Sequence, residues 1–257
     1  MKIVVCAKTV PGYIIDPQIS ETKDRIIYKA GTIITNESDE YALEEAVALK
    51  KKFGGGEVTV LTAGPFLSVK ALHTGLAKDA DKAARIDTDR AEGGYIAKAL
   101  AEAIKRLGYD LILTGIESSD SLSAQVGIMV AEMLGLPFAY AVTEVERGEK
   151  EGTLKVTKEI GAGVKLVEEI TLPALLCMQT GTTPLSYVTL RKLVQARSKP
   201  TQTFTISNLG LDEEFKQPSA SKIVGILSPQ MTSKAEIITG KPPEIASVLI
   251  KKVREVL

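Results

Sequence analysis

Short apolar runs alternate with helical periods through the first 137 residues, and this alternation constrains the fold more than any other feature of the sequence. The runs at 2–7, 57–62, 83–87 and 110–114 are bounded by turn residues or charges, which is typical of buried parallel strands. Amphipathic helical periods separate and follow these runs. The order βαβαβαβα predicts an α/β fold built on an open, doubly wound, mostly parallel sheet.

The pattern changes after Pro137. Residues 138–146, 153–159 and 164–171 are alternating or β-rich and are separated by glycines, which predicts antiparallel strands at a sheet edge. Residues 172–178 indicate one more buried strand, and 186–196 a short helix that ends before Pro200. Little periodicity follows until a final helix over 244–256. We therefore expect an α/β domain over 1–199 and an extended C-terminal arm over 200–257 that packs on another surface.

Composition narrows the classes of function. Lys plus Arg and Asp plus Glu both number 32, so the chain has no net charge to attract nucleic acid. The apolar start is interrupted at Pro11 and is too short for a signal peptide or a membrane span, which favours a cytoplasmic protein without membrane insertion. Cys6 and Cys177 lie in apolar runs, as reduced core thiols do. With His73 as the single histidine, we expect neither a metal site nor catalytic side chains.

The loops that follow the first and fourth predicted strands are the first candidates for a ligand site, because the winding of such a sheet reverses there. The fourth strand is followed by a loop with serines at 118, 119, 121 and 123, and the loop opens a helix. Its N–H groups, hydroxyls and helix dipole suit a phosphate. The alternative is a solvated loop in which Ser121 or Ser123 caps the helix. Neither the Gly-x-Gly-x-x-Gly nor the Walker pattern is present.

Two further loops should meet at the same sheet edge. Cys6-Ala7-Lys8 ends the first strand, and Ala63-Gly64-Pro65 ends the second with residues small enough to let a nucleotide approach the backbone. Each loop alone is more often ordinary turn chemistry, and Lys8 is more often a solvated amine. Their order along the chain is nevertheless the order that a nucleotide site in this fold requires.

Several segments together resemble a known family. The sequence has VVCAKTVP at 4–11, NESDEYALE at 36–44, AGP at 63–65 and AQVG at 124–127. KEI at 158–160, LPA at 172–174 and the segment from Leu190 to Pro200 follow. With these segments the chain resembles the β subunit of electron-transfer flavoproteins. The resemblance covers nearly everything except the C-terminal arm.

The resemblance implies an adenine nucleotide α-hydrolase-like fold and a bound adenine nucleotide. It also implies a heterodimer with an α subunit that carries a further FAD, and a partner-recognition segment near 184–199 in which Leu190 anchors a dehydrogenase. Electrons would pass to a quinone reductase or a ferredoxin-type acceptor. The implied nucleotide contacts are Cys6, Ala7, Asn36, Glu37, Ser38, Asp39, Ala63, Gly64, Gly115, Ile116, Glu117, Ser118, Ser119, Asp120, Ser121, Leu122, Ser123, Ala124, Gln125 and Val126.

The sequence departs from the family pattern in three places. A Glu37-Ser38 pair replaces the usual Pro-aromatic pair after Asn36, Ser121-Leu122-Ser123 replaces an acidic cluster, and Arg191 stands where a proline commonly follows the recognition leucine. The ending at 124–127 and Asp89-Arg90-Ala91 favour the branch that binds a second FAD and oxidises NADH by electron bifurcation, although the stretch after Asp89 is shortened. We therefore expect FAD in this subunit, with AMP as the alternative.

Two other classes share this type of sheet. A regulatory module of the universal-stress kind would bind an adenine nucleotide, but it would lack the residues beyond about 145. An adenylating enzyme would need a pyrophosphate loop after the first strand, which Lys8-Thr9-Val10-Pro11 does not provide. A flavin carries its own redox chemistry, so an electron carrier needs no catalytic side chain from this chain.

Overall fold

The computed structural model describes residues 1–12, 18–23, 26–27, 33–181, 183–218, 224–228 and 235–256. It divides into two compact units. The larger unit comprises Met1–Gln18 and Ile27–Lys222, and the smaller one comprises Ile19–Ile26 and Ile223–Leu257. The predicted boundary after residue 199 stays a prediction.

In chain order, the strands are β1 (Lys2–Cys6), β2 (Thr9–Pro11), β3 (Gln18–Ile19), β4 (Ile26–Ile27), β5 (Ile33–Thr35), β6 (Glu57–Gly64), β7 (Lys82–Asp87), β8 (Leu111–Gly115), β9 (Phe138–Arg147), β10 (Thr153–Gly161), β11 (Val164–Thr171), β12 (Ala174–Met178) and β13 (Gln202–Thr205). The helices are α1 (Glu37–Lys52), α2 (Val69–Ala77), α3 (Gly93–Leu107), α4 (Val126–Leu134), α5 (Leu190–Arg197), α6 (Ile206–Leu209), α7 (Asp212–Lys216) and α8 (Pro242–Val256).

Within the described ranges, nine strands form the main sheet in the order β11-β10-β9-β12-β8-β1-β6-β7-β13. Neighbours from β9 to β13 along this order pair in parallel, and β9, β10 and β11 pair antiparallel at one edge. Two small sheets, β2-β5 and β3-β4, accompany it. The predicted α/β fold with a mostly parallel sheet and antiparallel edge strands is confirmed.

The central strands are apolar along their length because both faces of the sheet are covered. On β1, Ile3 and Val5 belong to the core that α1, α2 and α5 cover, whereas Val4 and Cys6 belong to the core under α3 and α4. A strand buried on both faces reads as a continuous apolar run and not as an alternation. This is why the sequence predicted these strands within a residue or two of their ends.

The structure differs from the sequence prediction mainly after residue 186. Helix α5 begins at Leu190 instead of 186, and β13, α6 and α7 form in a stretch where no periodicity predicted them. Strand β13 buries only Phe204, which is too little for a recognisable pattern. The terminal helix α8 confirms the one predicted over 244–256, beginning two residues earlier. None of the helices that the structure describes is long and apolar enough to cross a membrane.

Candidate functional site

A cavity of about 520 Å³ lies at the carboxyl ends of β8, β1, β6 and β7, which are neighbours in the sheet. From β1 the chain moves to β6 on one side, whereas β8 lies on the other side. The cavity therefore lies where the winding of the sheet reverses, the usual ligand position in an open α/β fold.

Most of the nucleotide contacts expected from the sequence lie together on the wall of this cavity. Those that line it are Cys6, Ala7, Asn36, Asp39, Ala63, Gly64, Gly115, Ile116, Glu117, Ser118, Asp120, Ser121, Ser123, Ala124, Gln125 and Val126. Four others are not among the lining residues. Ser38 is buried behind the wall, while Glu37, Ser119 and Leu122 are exposed. Their role as nucleotide contacts stays a prediction.

Asn36 joins the start of α1 to the serine-rich loop. Its Nδ2 donates to Ser38 Oγ at 2.9 Å and to the Glu117 carbonyl at 2.8 Å, and its Oδ1 accepts from the Ser119 N–H at 3.1 Å. Ser38 Oγ donates to the same Glu117 carbonyl at 2.6 Å. Asn36 is the N-cap residue of α1, but it makes no side-chain capping bond. Both side chains are used to hold the loop.

Asp39 connects the two strands on either side of the switch point. Its Oδ2 accepts from the Lys8 N–H at 2.8 Å, just after β1, and its Oδ1 accepts from the Gly115 N–H at 2.9 Å, at the end of β8. Burial raises the pKa of this carboxyl to about 6, against the opposing effect of the two N–H donors. A Cβ on Gly115 would overlap Ser38 Oγ and Asp39 Oδ1, so only glycine fits this corner.

Lys8 spans the mouth of the cavity. Its Nζ contacts the Asp120 carboxylate at 2.7 and 2.8 Å and donates to Ser118 Oγ at 3.2 Å. Lys8 therefore does more than the solvated amine that the sequence suggested: it connects the loop after β1 to the loop after β8 and offsets the charge of Asp120 beside the cavity.

Helix α4 opens onto the cavity without a side-chain cap. Its N-cap residue is Gln125, and no side chain accepts from its first N–H groups. Ser118, Ser121 and Ser123 instead hydrogen-bond in series, at 2.9 and 3.3 Å. The capping role considered for Ser121 and Ser123 is thus not realised. The uncapped helix start leaves N–H groups and the positive end of the helix dipole for an anion, so this wall fits a phosphate.

Close packing brings the start of α4 near the sheet. A Cβ on Gly127 would lie 2.7 Å from Thr114 Oγ1 and 2.8 Å from Cys177 Sγ. Cys177 and Cys6 are both free and buried, as the sequence predicted. Burial raises the pKa of both thiols, that of Cys177 to about 11.

The cavity wall formed by β6, the turn after it and α3 was largely missed by sequence reasoning. Thr62, Ser68, Gly93, Ile96 and Leu100 line it, and Thr62 Oγ1 is buried without a hydrogen-bond partner in the described structure. A signal was present in part, because 93, 96 and 100 share one face of α3 by their spacing. The other residues sit inside elements and resemble ordinary core positions.

Arg90, just before α3, is the basic residue of this wall. Its guanidinium stacks 3.7 Å from the centre of the Tyr95 ring, pairs with Glu92 at 3.0 Å and donates to the Phe215 carbonyl at 2.6 Å. Asp89 and Ala91 line the cavity beside it. The Asp89-Arg90-Ala91 segment that sequence reasoning singled out therefore lies at the cavity.

Leu190 lies outside the cavity, at the first position of α5, and its side chain is 75% exposed. A helical pattern alone would assign it to the core. Tyr187 is 88% exposed, and Val194 is also exposed. Leu190 and Val194 share one side of α5 because they are four residues apart, and Tyr187 lies in the irregular segment before the helix.

Comparison with known proteins identifies similar chains. The sequence model of the electron transfer flavoprotein domain matches residues 27–209. The electron transfer flavoprotein subunit beta of Clostridium acetobutylicum is 34% identical, over 99% of this chain and 98% of the relative. That of Methylophilus methylotrophus is 30% identical over the same shares. The caffeyl-CoA reductase-Etf complex subunit CarD of Acetobacterium woodii is 31% identical, again over 99% and 98%.

Proposed function

The chain belongs to the electron transfer flavoprotein family, as a β subunit, and on that premise we propose that its cavity holds an adenine nucleotide, FAD rather than AMP. The observation that carries this proposal is the uncapped start of α4 on the cavity wall. A helix N-terminus without a side-chain acceptor is a ready site for a phosphate.

The choice of FAD rests on the Asp89-Arg90-Ala91 segment, which resembles the FAD-binding branch of the family and lines the cavity. Arg90 adds a cation to the cavity wall besides the start of α4, and FAD carries a second phosphate that AMP lacks. When bound, a flavin supplies the hydride and electron transfer, while the protein supplies binding and orientation. Residues of this chain then bind the phosphates at α4 and hold the wall in place through Asn36 and Asp39.

A second FAD in this subunit would suit a carrier that takes hydride from NADH and divides the electrons between two acceptors. One relative is named as a subunit of a complex with caffeyl-CoA reductase, so a member of the family works next to a reductase. We propose that this chain belongs to the flavin-bifurcating branch, with a quinone reductase or a ferredoxin-type protein as an acceptor. The comparisons do not favour the stress-protein alternative.

The C-terminal helix supports a heterodimer. Helix α8 exposes a group of large apolar side chains: Val248, Leu249, Ile250 and Val253. A soluble chain that exposes such a contiguous group normally buries it on a partner. We propose that the α subunit, which carries the further FAD, covers α8.

The surface around Leu190 suits a redox partner. Between Thr183 and Pro200 the sequence contains Arg191, Lys192, Arg197 and Lys199 and no acidic residue, and of these cations Lys192 pairs with Asp79. An exposed apolar group inside a basic rim fits a partner with an apolar pocket and an acidic rim. We propose that Leu190 anchors a dehydrogenase there.

The nucleotide proposal is tested by co-purifying the chain with its α subunit, denaturing the pair and separating the released nucleotides. We expect two FAD per heterodimer and no AMP. One FAD with one AMP would overturn the choice of FAD and keep the nucleotide site. One FAD alone, from a preparation shown not to have lost ligand, would overturn the site itself.

A further inference from the structure

The residues just before Leu190 are held by the buried carboxylate of Glu44, which does not line the nucleotide cavity. Glu44, in the second turn of α1, accepts at Oε1 from the Ser186 N–H at 2.8 Å and from Ser186 Oγ at 2.6 Å. The same oxygen accepts from Lys78 Nζ at 2.5 Å. Lys78 Nζ also reaches the Ser186 carbonyl at 3.4 Å and Glu40 at 3.2 Å. Ser186 is thus bound at its N–H, its carbonyl and its hydroxyl.

We call residues 183–197 the docking segment. Two further contacts hold it: Thr183 Oγ1 donates to Glu45 of α1, and Lys192, in α5, pairs at 3.1 Å with Asp79, which follows α2. The contact at Ser186 is the most buried ion pair among them, since the Lys78 side chain is 2% exposed and that of Glu44 10%. The docking segment is therefore fixed near its start by buried and partly buried contacts at Thr183 and Ser186, and in α5 by a surface ion pair at Lys192.

A buried ion pair is a poor means of gaining stability. Two charges removed from water lose hydration that their attraction only roughly offsets, and apolar residues of similar size often serve stability as well. What Glu44 and Lys78 provide instead is a fixed position for Ser186, next to Tyr187, because two hydrogen bonds hold its backbone and a third holds its hydroxyl. An exposed apolar group that is already ordered pays less conformational entropy when a partner binds.

We propose that Glu44 is a positioning residue for partner recognition. Together with Lys78 it fixes Ser186, and so holds Tyr187 and Leu190 outward before a partner arrives. The inference rests on the proposed docking role of Leu190 and adds the residue that orders it. Burial acts to raise the pKa of Glu44, but the bonds from Lys78 and Ser186 keep it below its ordinary value, in agreement with an ionised acceptor.

The first test measures order in the docking segment directly. Cys6 and Cys177 are buried, so in this chain a nitroxide reagent should label a Tyr187→Cys variant at that position alone. The wild-type pair, labelled in parallel, gives the signal of any α-subunit cysteine, which is subtracted. In an otherwise unchanged background we expect the intermediate mobility of an exposed label on an ordered backbone. Ser186→Ala, which removes the hydroxyl bond to Glu44, should increase the mobility of the label, and Ser186→Thr, which keeps the hydroxyl, should restore the intermediate spectrum.

The second test separates positioning from stability. Glu44→Ala leaves Lys78 buried without its main partner and should lower the melting temperature. Combining it with Lys78→Met removes the stranded charge and should recover most of the melting temperature, but not the position of Ser186. In electron transfer from the cognate dehydrogenase, we expect the double variant to raise KM about tenfold with kcat and nucleotide content unchanged.

Asp81→Ala is the matched control. It also removes a carboxylate that pairs with a lysine, Lys50 at 2.6 Å, and accepts from a backbone N–H, that of Val58 at 2.8 Å. It does not touch the docking segment, so it should change neither the label spectrum nor KM.

If the label in the double variant is as ordered as in the otherwise unchanged background, and KM equals that of the wild type, the inference is overturned and Glu44 has a structural role only. The proposed docking site fails separately: Leu190→Ala would then leave KM unchanged, while the label would still report whether Glu44 orders the segment.

Discussion

The cavity wall and the docking segment are opposite exceptions to the usual burial of apolar and exposure of polar side chains. At the cavity, polar side chains are buried, with Asn36 2% and Asp39 7% exposed. In the docking segment, apolar side chains such as Tyr187 and Leu190 lie in solvent. Buried polar groups and grouped exposed apolar groups are the two informative exceptions to the rule that apolar residues lie inside. Both regions are held by α1, the first through its opening turn and the second through Glu44 and Glu45.

The two regions should respond differently to substitution. A buried polar atom of the cavity wall, such as those of Asn36 and Asp39, costs free energy of folding when it loses its partner, because no water replaces the lost bond. An apolar side chain that is already in water contributes little to folding. Substitutions of the buried polar residues at the cavity should therefore destabilise the protein, whereas substitutions of the exposed apolar residues of the docking segment should change association and leave stability intact.

Gly115→Ala should have the largest effect. Its Cβ would overlap Ser38 and Asp39, so α1 and β8 must separate, and we expect a loss of about 3 kcal/mol in the free energy of unfolding together with loss of nucleotide. Gly94→Ala is the matched control, since Gly94 lies in α3 with open space around its Cβ position. It should stabilise the protein by about 0.5–1 kcal/mol in urea denaturation. Equal effects of the two variants would show that the corner at Gly115 is not tight.

The titration of Asp39 should appear in the pH dependence of stability. Its pKa is raised from 3.8 to about 6, so the folded protein holds this proton more tightly than the unfolded chain. The resulting stabilisation is complete below about pH 4 and is lost as the pH rises through about 6. Relative to Asp39→Asn, which does not titrate, the wild-type free energy of unfolding should fall by about 3 kcal/mol between about pH 4 and pH 7. A constant difference across this range would mean that the carboxyl ionises as it does in water.

Leu190→Ala should lower the free energy of unfolding by less than about 0.5 kcal/mol and leave the melting temperature nearly unchanged, because the side chain is exposed. Electron transfer from the cognate dehydrogenase should nevertheless require a higher concentration of the carrier. Leu193→Ala on the same helix is the control: Leu193 packs against the core, so its truncation should cost about 2 kcal/mol. A comparable loss of stability for both variants would return Leu190 to a core role.

Salt should have the smallest effect. With a basic rim around Leu190, KM for the cognate dehydrogenase should rise several-fold between about 0.05 and 0.5 M salt, since the screening length falls from about 14 to about 4 Å over this range. Arg191→Gln should make this dependence shallower. A KM independent of salt in the wild-type protein would show that the cations take no part in docking.

The same two regions show which parts of the structure could be predicted from the sequence and which could not. The strands around the cavity were predicted because burial on both faces produces continuous apolar runs, and their order places the loops after Cys6, Gly64 and Gly115 at one sheet edge. Side chains such as Thr62 and Leu100 were missed because a residue inside a strand or helix gives no local sign that it faces a cavity. Tertiary position, not local pattern, decides this.

Leu190 illustrates the opposite difficulty. Hydrophobic periodicity identifies the side of a helix that avoids polar residues, but it does not tell whether the protein's own core or another protein covers that side. Only the resemblance to a known family suggested an exposed role. The contacts from Glu44 to Ser186 connect residues 142 positions apart, and no local pattern predicts such a bond.

The central claim, that the nucleotide lies in the cavity beside α4, is tested most directly by two tryptophan substitutions in the same loop. Ser123 lines the cavity, whereas Ser119 is exposed outside its wall. In the pair co-purified with the α subunit, Ser123→Trp should release about half the FAD of the wild type, because bulk at the cavity wall evicts this subunit's nucleotide. Because Ser119 does not line the cavity, Ser119→Trp should release the wild-type amount, which would remove Ser119 from the implied nucleotide contacts. Full nucleotide content in Ser123→Trp, with a cooperative melting transition like that of the wild type, would contradict the account.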